Sequence, residues 1–135
     1  MARAMPLGYH PAVDDFDAYI AAWRARWARE REEDGRAAAA ARALAGRLAE
    51  VLGDRYGARR VILAGSLARG EFHRGSDIDL AVEGLPTGEL FRAGAALEES
   101  ARGLEVDLVP IESASPEYVA RLEREGITLY EHPRA

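Results

Sequence analysis

The chain contains no cysteine among its 135 residues, so neither a disulfide framework nor a thiolate metal site is open to it. It has no run approaching the roughly 18 apolar residues that a membrane span requires. The stretch from Met1 to Pro11, with Pro6 and Gly8, reads as a loose leader without the apolar segment of a secretory signal. These absences point to a soluble, cytoplasmic protein. Lysine is missing as well: every basic residue besides the histidines is arginine. A positive charge balance is also lacking. The formal net charge of −5 weighs against a general nucleic-acid coat, which needs a basic footprint, while leaving room for a local basic pocket.

What remains is ordinary globular material, 48% hydrophobic and 30% charged, at a length suited to one domain with one real core. Val13, Phe16, Ile20, Trp23 and Trp27 recur at helical spacing and predict an amphipathic helix. Asp14, Asp15 and Asp17 sit in its first turns, where the helix dipole favours negative charge. The charged run Arg29 to Asp34, followed by Gly35, is expected to end or kink it. A second, alanine-rich helix is expected from about Arg36 to Leu52, with Leu44, Leu48, Val51 and Leu52 on one side.

From Tyr56 the periodicity changes. Residues 60–64 form a short, nearly continuous apolar run, the pattern of a buried strand. Residues 77–83 and 104–109 alternate and predict two further strands. A helix carrying Leu90, Phe91 and Leu97 is expected between them, over Glu89 to Ala101. Ser115-Pro116 has the form of a helix start, serine as cap and proline at the first helical position. That helix uses Tyr118, Val119 and Leu122, Gly126 is its expected stop, and Ile127 to Tyr130 a last strand. The order predicts a small sheet with helices packed on it.

Chemistry concentrates between Gly65 and Leu80. On a strand, residues i and i+2 point to the same side, so Asp77 and Asp79 project together while Ile78 and Leu80 anchor the other side. Bare carboxylates this close repel, and a divalent cation resolves the conflict. Asp107 lies between core-facing Val106 and Leu108, so it too points away from the core. Were its strand to lie beside the strand at 77–83, all three carboxylates could converge, a donor set suited to Mg²⁺. Gly65-Ser66 directly follows the first strand, where glycine lets a phosphate approach the backbone and the serine hydroxyl can bond a triphosphate oxygen. Leu67 to Gly70 could begin a short anion-binding helix, and Arg69 and Arg74 could reach phosphates. Singly, each feature has a plainer reading as a turn, a solvated charge or an ion pair. His73 reads as a loop residue, and Trp23 and Trp27 as part of a core or partner-facing stripe rather than a base-stacking device.

Together these residues resemble the DNA polymerase beta-like nucleotidyltransferases, in particular their minimal nucleotidyltransferase (MNT) branch. That family's pattern is Gly-Ser, ten residues, then Asp-x-Asp, with a third aspartate on a later strand. Here Gly65-Ser66 is followed by the ten residues Leu67 to Ser76, then Asp77-Ile78-Asp79, and Asp107 best matches the third aspartate. Ala68-Arg69-Gly70, residues 76–80 and the ending Gly126 to Glu131 are also similar to family sequence, and the resemblance spans about residues 40–131.

The resemblance implies an α/β (α+β) nucleotidyltransferase fold, a small mixed sheet flanked by helices. It implies a nucleoside triphosphate, such as ATP, at Gly65 and Ser66, with Arg69, Arg74 and Ser76 as further contacts. Asp77, Asp79 and Asp107 would be both the catalytic residues and the ligands of two Mg²⁺ ions, replaceable by Mn²⁺. The implied reaction is in-line attack of an acceptor hydroxyl on the α-phosphorus with departure of pyrophosphate, Asp107 serving as base or orienting the nucleophile. Many MNT proteins are antitoxins paired with a HEPN-domain toxin, and some add AMP to a toxin tyrosine. Only 28 residues follow Asp107, so a protein partner is expected to supply the acceptor. Two alternatives stay open: a non-catalytic module that neutralises its partner by covering it, and a small-molecule transferase of the aminoglycoside-modifying kind. Residues 1–35 are then an N-terminal helical extension, packing on the sheet domain or mediating homo-oligomer assembly, and residues 36–135 the nucleotidyltransferase domain.

Overall fold

A computed structural model describes residues 13–132 of the chain. The expected leader over residues 1–11 lies outside the described residues, as do the side chains of Val13 and Asp14. Helix α1 runs unbroken over Val13–Tyr56, where two helices were expected. Gly35 does not stop it: the backbone there stays helical, and the roughly 1 kcal/mol a mid-helix glycine costs is small beside the packing of the turns that follow. The chain divides into two compact units, residues 1–33 and 34–135.

Within the second unit, the strands are β1 (Arg60–Ala64), β2 (Ile78–Glu83), β3 (Val106–Pro110) and β4 (Ile127–Glu131). They form one sheet in the order β3-β2-β1-β4. β1 pairs antiparallel with both β2 and β4, whereas β2 and β3 run parallel, joined through helix α3 (Thr87–Ser100). A five-residue helix α2 (Gly65–Arg69) continues directly from β1, and α4 (Pro116–Glu125) precedes β4. The mixed sheet flanked by helices is the architecture expected. Ser115 caps α4 as read from the sequence, its hydroxyl accepting from the Tyr118 amide at 3.1 Å.

Alternation along the strands sorts side chains between two cores. Val61, Leu63, Ile78, Leu80 and Val82 join the larger core, built with the second half of α1 and with α3. The helix face of α1 is small-residue rich: Ala38, Ala41, Ala45 and Ala49 are buried beside Leu44, Leu48 and Leu52. Alanine contributes little area, but it lets the helix backbone lie close to the sheet. Gly53 continues this face, where a Cβ would overlap the ring of Tyr130. On α3, Ala93 and Leu97 are buried while Phe91 is 84% exposed.

Ile62, Ala64 and Ala81 face the opposite way and form a small second core with Leu122 of α4. Gly126 ends α4 as expected but not by a left-handed turn, since its φ is −70°. Its reason is space: a Cβ there would meet the Leu122 carbonyl and Ile62.

Candidate active site

The smaller core leaves one end of its sheet face open, and the carboxylates gather there. In the register, Ala64 at the end of β1 pairs with Asp79, and Asp79 pairs across the parallel ladder with Asp107. Asp77 stands one residue ahead of β2 on the same side as Asp79. The parallel pairing that the sequence left conditional therefore exists, and Asp77, Asp79 and Asp107 line one cavity of about 840 Å³. That volume is in the range of small-molecule sites.

Gly65 ties the β1 end to this cluster. Its φ of +71° is a conformation that favours glycine, and a Cβ would overlap the Asp79 carboxylate. Ser66 follows at the start of α2, and its carbonyl accepts from the Glu71 amide at 2.8 Å. Gly70 closes α2 in the left-handed region with φ 77°. Residues 73–76 then make a tight turn in which the Ser76 hydroxyl oxygen accepts from the His73 amide at 3.2 Å, leaving the hydroxyl proton to donate elsewhere.

Burial pushes the Asp79 carboxyl up to about 6, and the charges of Asp107 and Asp77 and a hydrogen bond with Asp107 push the same way, against Arg69. The protein thus holds carboxylates in mutual repulsion, an arrangement that a cation relieves. The donor set fits a hard cation, being carboxylate oxygens without thiol or imidazole. The three residues with oxygens mutually within 4.8 Å are Asp77, Glu105 and Asp107, with Asp79 outside that trio and held against Asp107 instead. Glu105 was not among the residues singled out from sequence, although it stands two before Asp107 in the same alternation.

The cations are divided. Arg69 lines the cavity, but its Nε donates to Glu71 at 3.0 Å and its Nη1 lies 3.7 Å from Glu125. The Glu71 hydrogen bond is the main cause holding the Arg69 guanidinium above its usual range. Arg74 is not part of the cavity lining. It turns to Asp34 on α1, its amide and Nε each 3.2 Å from Oδ1. His73 does line the cavity, and its Nδ1 donates to the Arg74 carbonyl at 3.0 Å. The far wall comes from α4. Tyr118 packs against the small core and also faces the cavity with Arg121 and Glu125. Burial, and then the Asp79 charge, raise the Tyr118 phenol above its ordinary range, while Arg121 opposes them. Arg121 makes no ion pair among the described residues. Nothing in the sequence singled it out, because its role depends on how α4 crosses the sheet.

Residues 46–129 match the model of the nucleotidyltransferase domain. The chain belongs to this family. Among solved structures it is similar to a minimal nucleotidyltransferase at 34% identity, covering 67% of this chain and 93% of that one with a TM-score of 0.56. It is also similar to a chain from a toxin–antitoxin crystallised with AMP-PNP, at 29% identity, covering 66% and 74% with a TM-score of 0.56. A mutant of the toxin–antitoxin MntA–HpeT gives 27% identity over the same shares, also with a TM-score of 0.56. No curated protein matches the chain significantly. The minimal branch inferred from the Gly-Ser and Asp-x-Asp motifs is thereby shown, and the chain is a nucleotidyltransferase of that type.

Proposed function

We propose that the chain transfers AMP, or another nucleoside monophosphate, from a nucleoside triphosphate to a hydroxyl acceptor in a divalent-metal-dependent reaction. The observation that carries this is the meeting, at one sheet end, of the Gly65-Ser66 turn with Asp77, Asp79 and Asp107 over a cavity. The Ser66 and Ser76 hydroxyls and the Arg121 guanidinium can receive triphosphate oxygens. Asp77, Asp79 and Asp107 would hold Mg²⁺, with Glu105, whose carboxylate lies within 4.8 Å of those of Asp77 and Asp107, able to share it. A divalent cation held there would supply charge neutralisation on the reacting phosphate and a more acidic acceptor hydroxyl. Asp107 orients that hydroxyl and accepts its proton. The acceptor oxygen bonds to the α-phosphorus as the bond to the bridging oxygen breaks and pyrophosphate leaves.

The acceptor in this reading is a tyrosine of a HEPN-type toxin, and the chain acts as its antitoxin in the cytoplasm. Two similar proteins, at 29% and 27% identity, come from toxin–antitoxin complexes, one crystallised with AMP-PNP, which supports the partner class and the nucleotide. Among the described residues no helix is long and apolar enough to cross a membrane.

The test is transfer of label from α-labelled ATP to a co-purified partner, with and without Mg²⁺ or Mn²⁺, followed by mass spectrometry for added AMP on tyrosine. Transfer should require the metal and vanish in Asp77→Ala and in Asp79→Ala. Undiminished transfer in both variants would overturn the mechanism.

A further inference from the structure

The first half of α1 carries an exposed aromatic stripe that the proposed reaction does not use. Phe16 is 53% exposed, Trp23 37% and Trp27 54%, on one side of a continuous helix with half-buried Ile20. Their steps of 4, 3 and 4 residues follow the heptad seam of a coiled coil. Trp23 and Trp27 are already ordered against each other, rings edge to face with centroids 5.3 Å apart, and the Arg26 guanidinium lies 5.5 Å from the Trp23 ring centre.

We infer that this stripe pairs with the same stripe of a second copy, the two helices antiparallel about a twofold axis between Ala21 and Ala22. The sequence of the helix makes the choice of occupant. Phe16 and Trp27 are equidistant from that midpoint, as are Ile20 and Trp23, so an antiparallel copy sets each large side chain opposite another. The flanking charges agree. Asp17 and Arg24 both border the seam on one side, and antiparallel helices bring like-lettered heptad flanks together, Asp17 of one copy beside Arg24 of the other, twice. A parallel pair would instead oppose Arg26 to Arg31, and would stack Glu30 on Glu30 in the seam.

The seam is small. Aromatic side chains bury roughly 150–250 Å² each when fully covered, and these three are only about half exposed, so about 220–360 Å² of aromatic surface per partner is available. That falls below the usual ~800 Å² of a tight complex and sets a weak, concentration-dependent dimer.

Analytical ultracentrifugation of the full chain tests this, with Trp emission as a local readout because the chain has only two tryptophans, both in the seam. A monomer–dimer transition between roughly 1 and 100 µM, with blue-shifted emission, is expected. Asp17→Arg should weaken dimerisation about tenfold, and the exchanged pair Asp17→Arg with Arg24→Asp should restore it, a rescue that a general loss of helix would not give. Direction is read by crosslinking, since no native cysteine interferes. A mixture of Phe16→Cys and Trp27→Cys proteins should form the mixed disulfide. Phe16→Cys alone should not crosslink to itself, its copies standing about 16 Å apart along the axis. A chain that stays monomeric throughout, a Phe16→Cys self-crosslink, a failed charge exchange, or a monomer whose stripe is covered only by a different protein would each overturn the inference. None of these readouts depends on nucleotide transfer, so the dimer and the proposed reaction can fail separately.

Discussion

The two faces of the sheet follow different rules. The face under α1 and α3 is apolar throughout, with Leu48, Leu52, Leu63, Ile78 and Leu80 almost fully covered. The face under α4 holds only Ile62, Ala64, Ala81 and Leu122 as a buried core and gives its open end to Asp79 and Asp107. Large apolar burial on one side provides stability, and the other side can then keep carboxylates in mutual repulsion. The strand supplies both at once: Ile78 and Leu80 anchor β2 while Asp77 and Asp79 point the opposite way.

The difference can be broken from either side. The largest effect should come from the open face: Asp77→Ala or Asp79→Ala should reduce nucleotide transfer by about 10³-fold or more, with circular dichroism unchanged. If a toxin partner is still neutralised by these variants, covering rather than chemistry accounts for the protection. On the closed face, Leu80→Ala should cost about 2–5 kcal/mol in denaturant unfolding.

A third change sits where the faces meet the turn. Gly65→Ala combines an unfavourable φ with overlap on Asp79, and should cost more than about 1 kcal/mol while abolishing nucleotide-dependent thermal stabilisation. Arg121→Gln should raise KM for the triphosphate about tenfold with little change in stability, as expected for a cavity cation that makes no ion pair among the described residues.

The smallest effect concerns the repulsion itself. Asp79 titrates near 6 in the fold, above the 3.8 of an unstrained carboxyl, so the folded state binds the proton more tightly than the unfolded chain. Metal-free stability should therefore fall as pH rises from about 4 to 6 and stay low above that. Asp79→Asn should raise the metal-free Tm at pH 7.5 by roughly 2–4 °C and erase the gain from Mn²⁺, measured by scanning calorimetry.

Much of this was legible in the chain itself. Strand alternation at 77–83, the continuous apolar run at 60–64 and the Ser115-Pro116 start were readable because they depend on local periodicity and capping. The Gly65-Ser66 and Asp77-x-Asp79 spacing was readable because turn geometry and strand pleat fix which groups project together within a few residues. The long α1 was not, since Gly35 carries a local penalty that neighbouring turns outweigh.

Local pattern determined which side of each strand its residues take, and hence that three aspartates avoid the core. Only the tertiary fold decided that β3 lies parallel beside β2 with Asp107 opposite Asp79, that Arg74 goes to Asp34 rather than to the cavity, and that Arg121 and Tyr118 of α4 form its wall. Those contacts join residues far apart in sequence, and their partners are set by which layers pack together, which no periodicity within a single segment encodes.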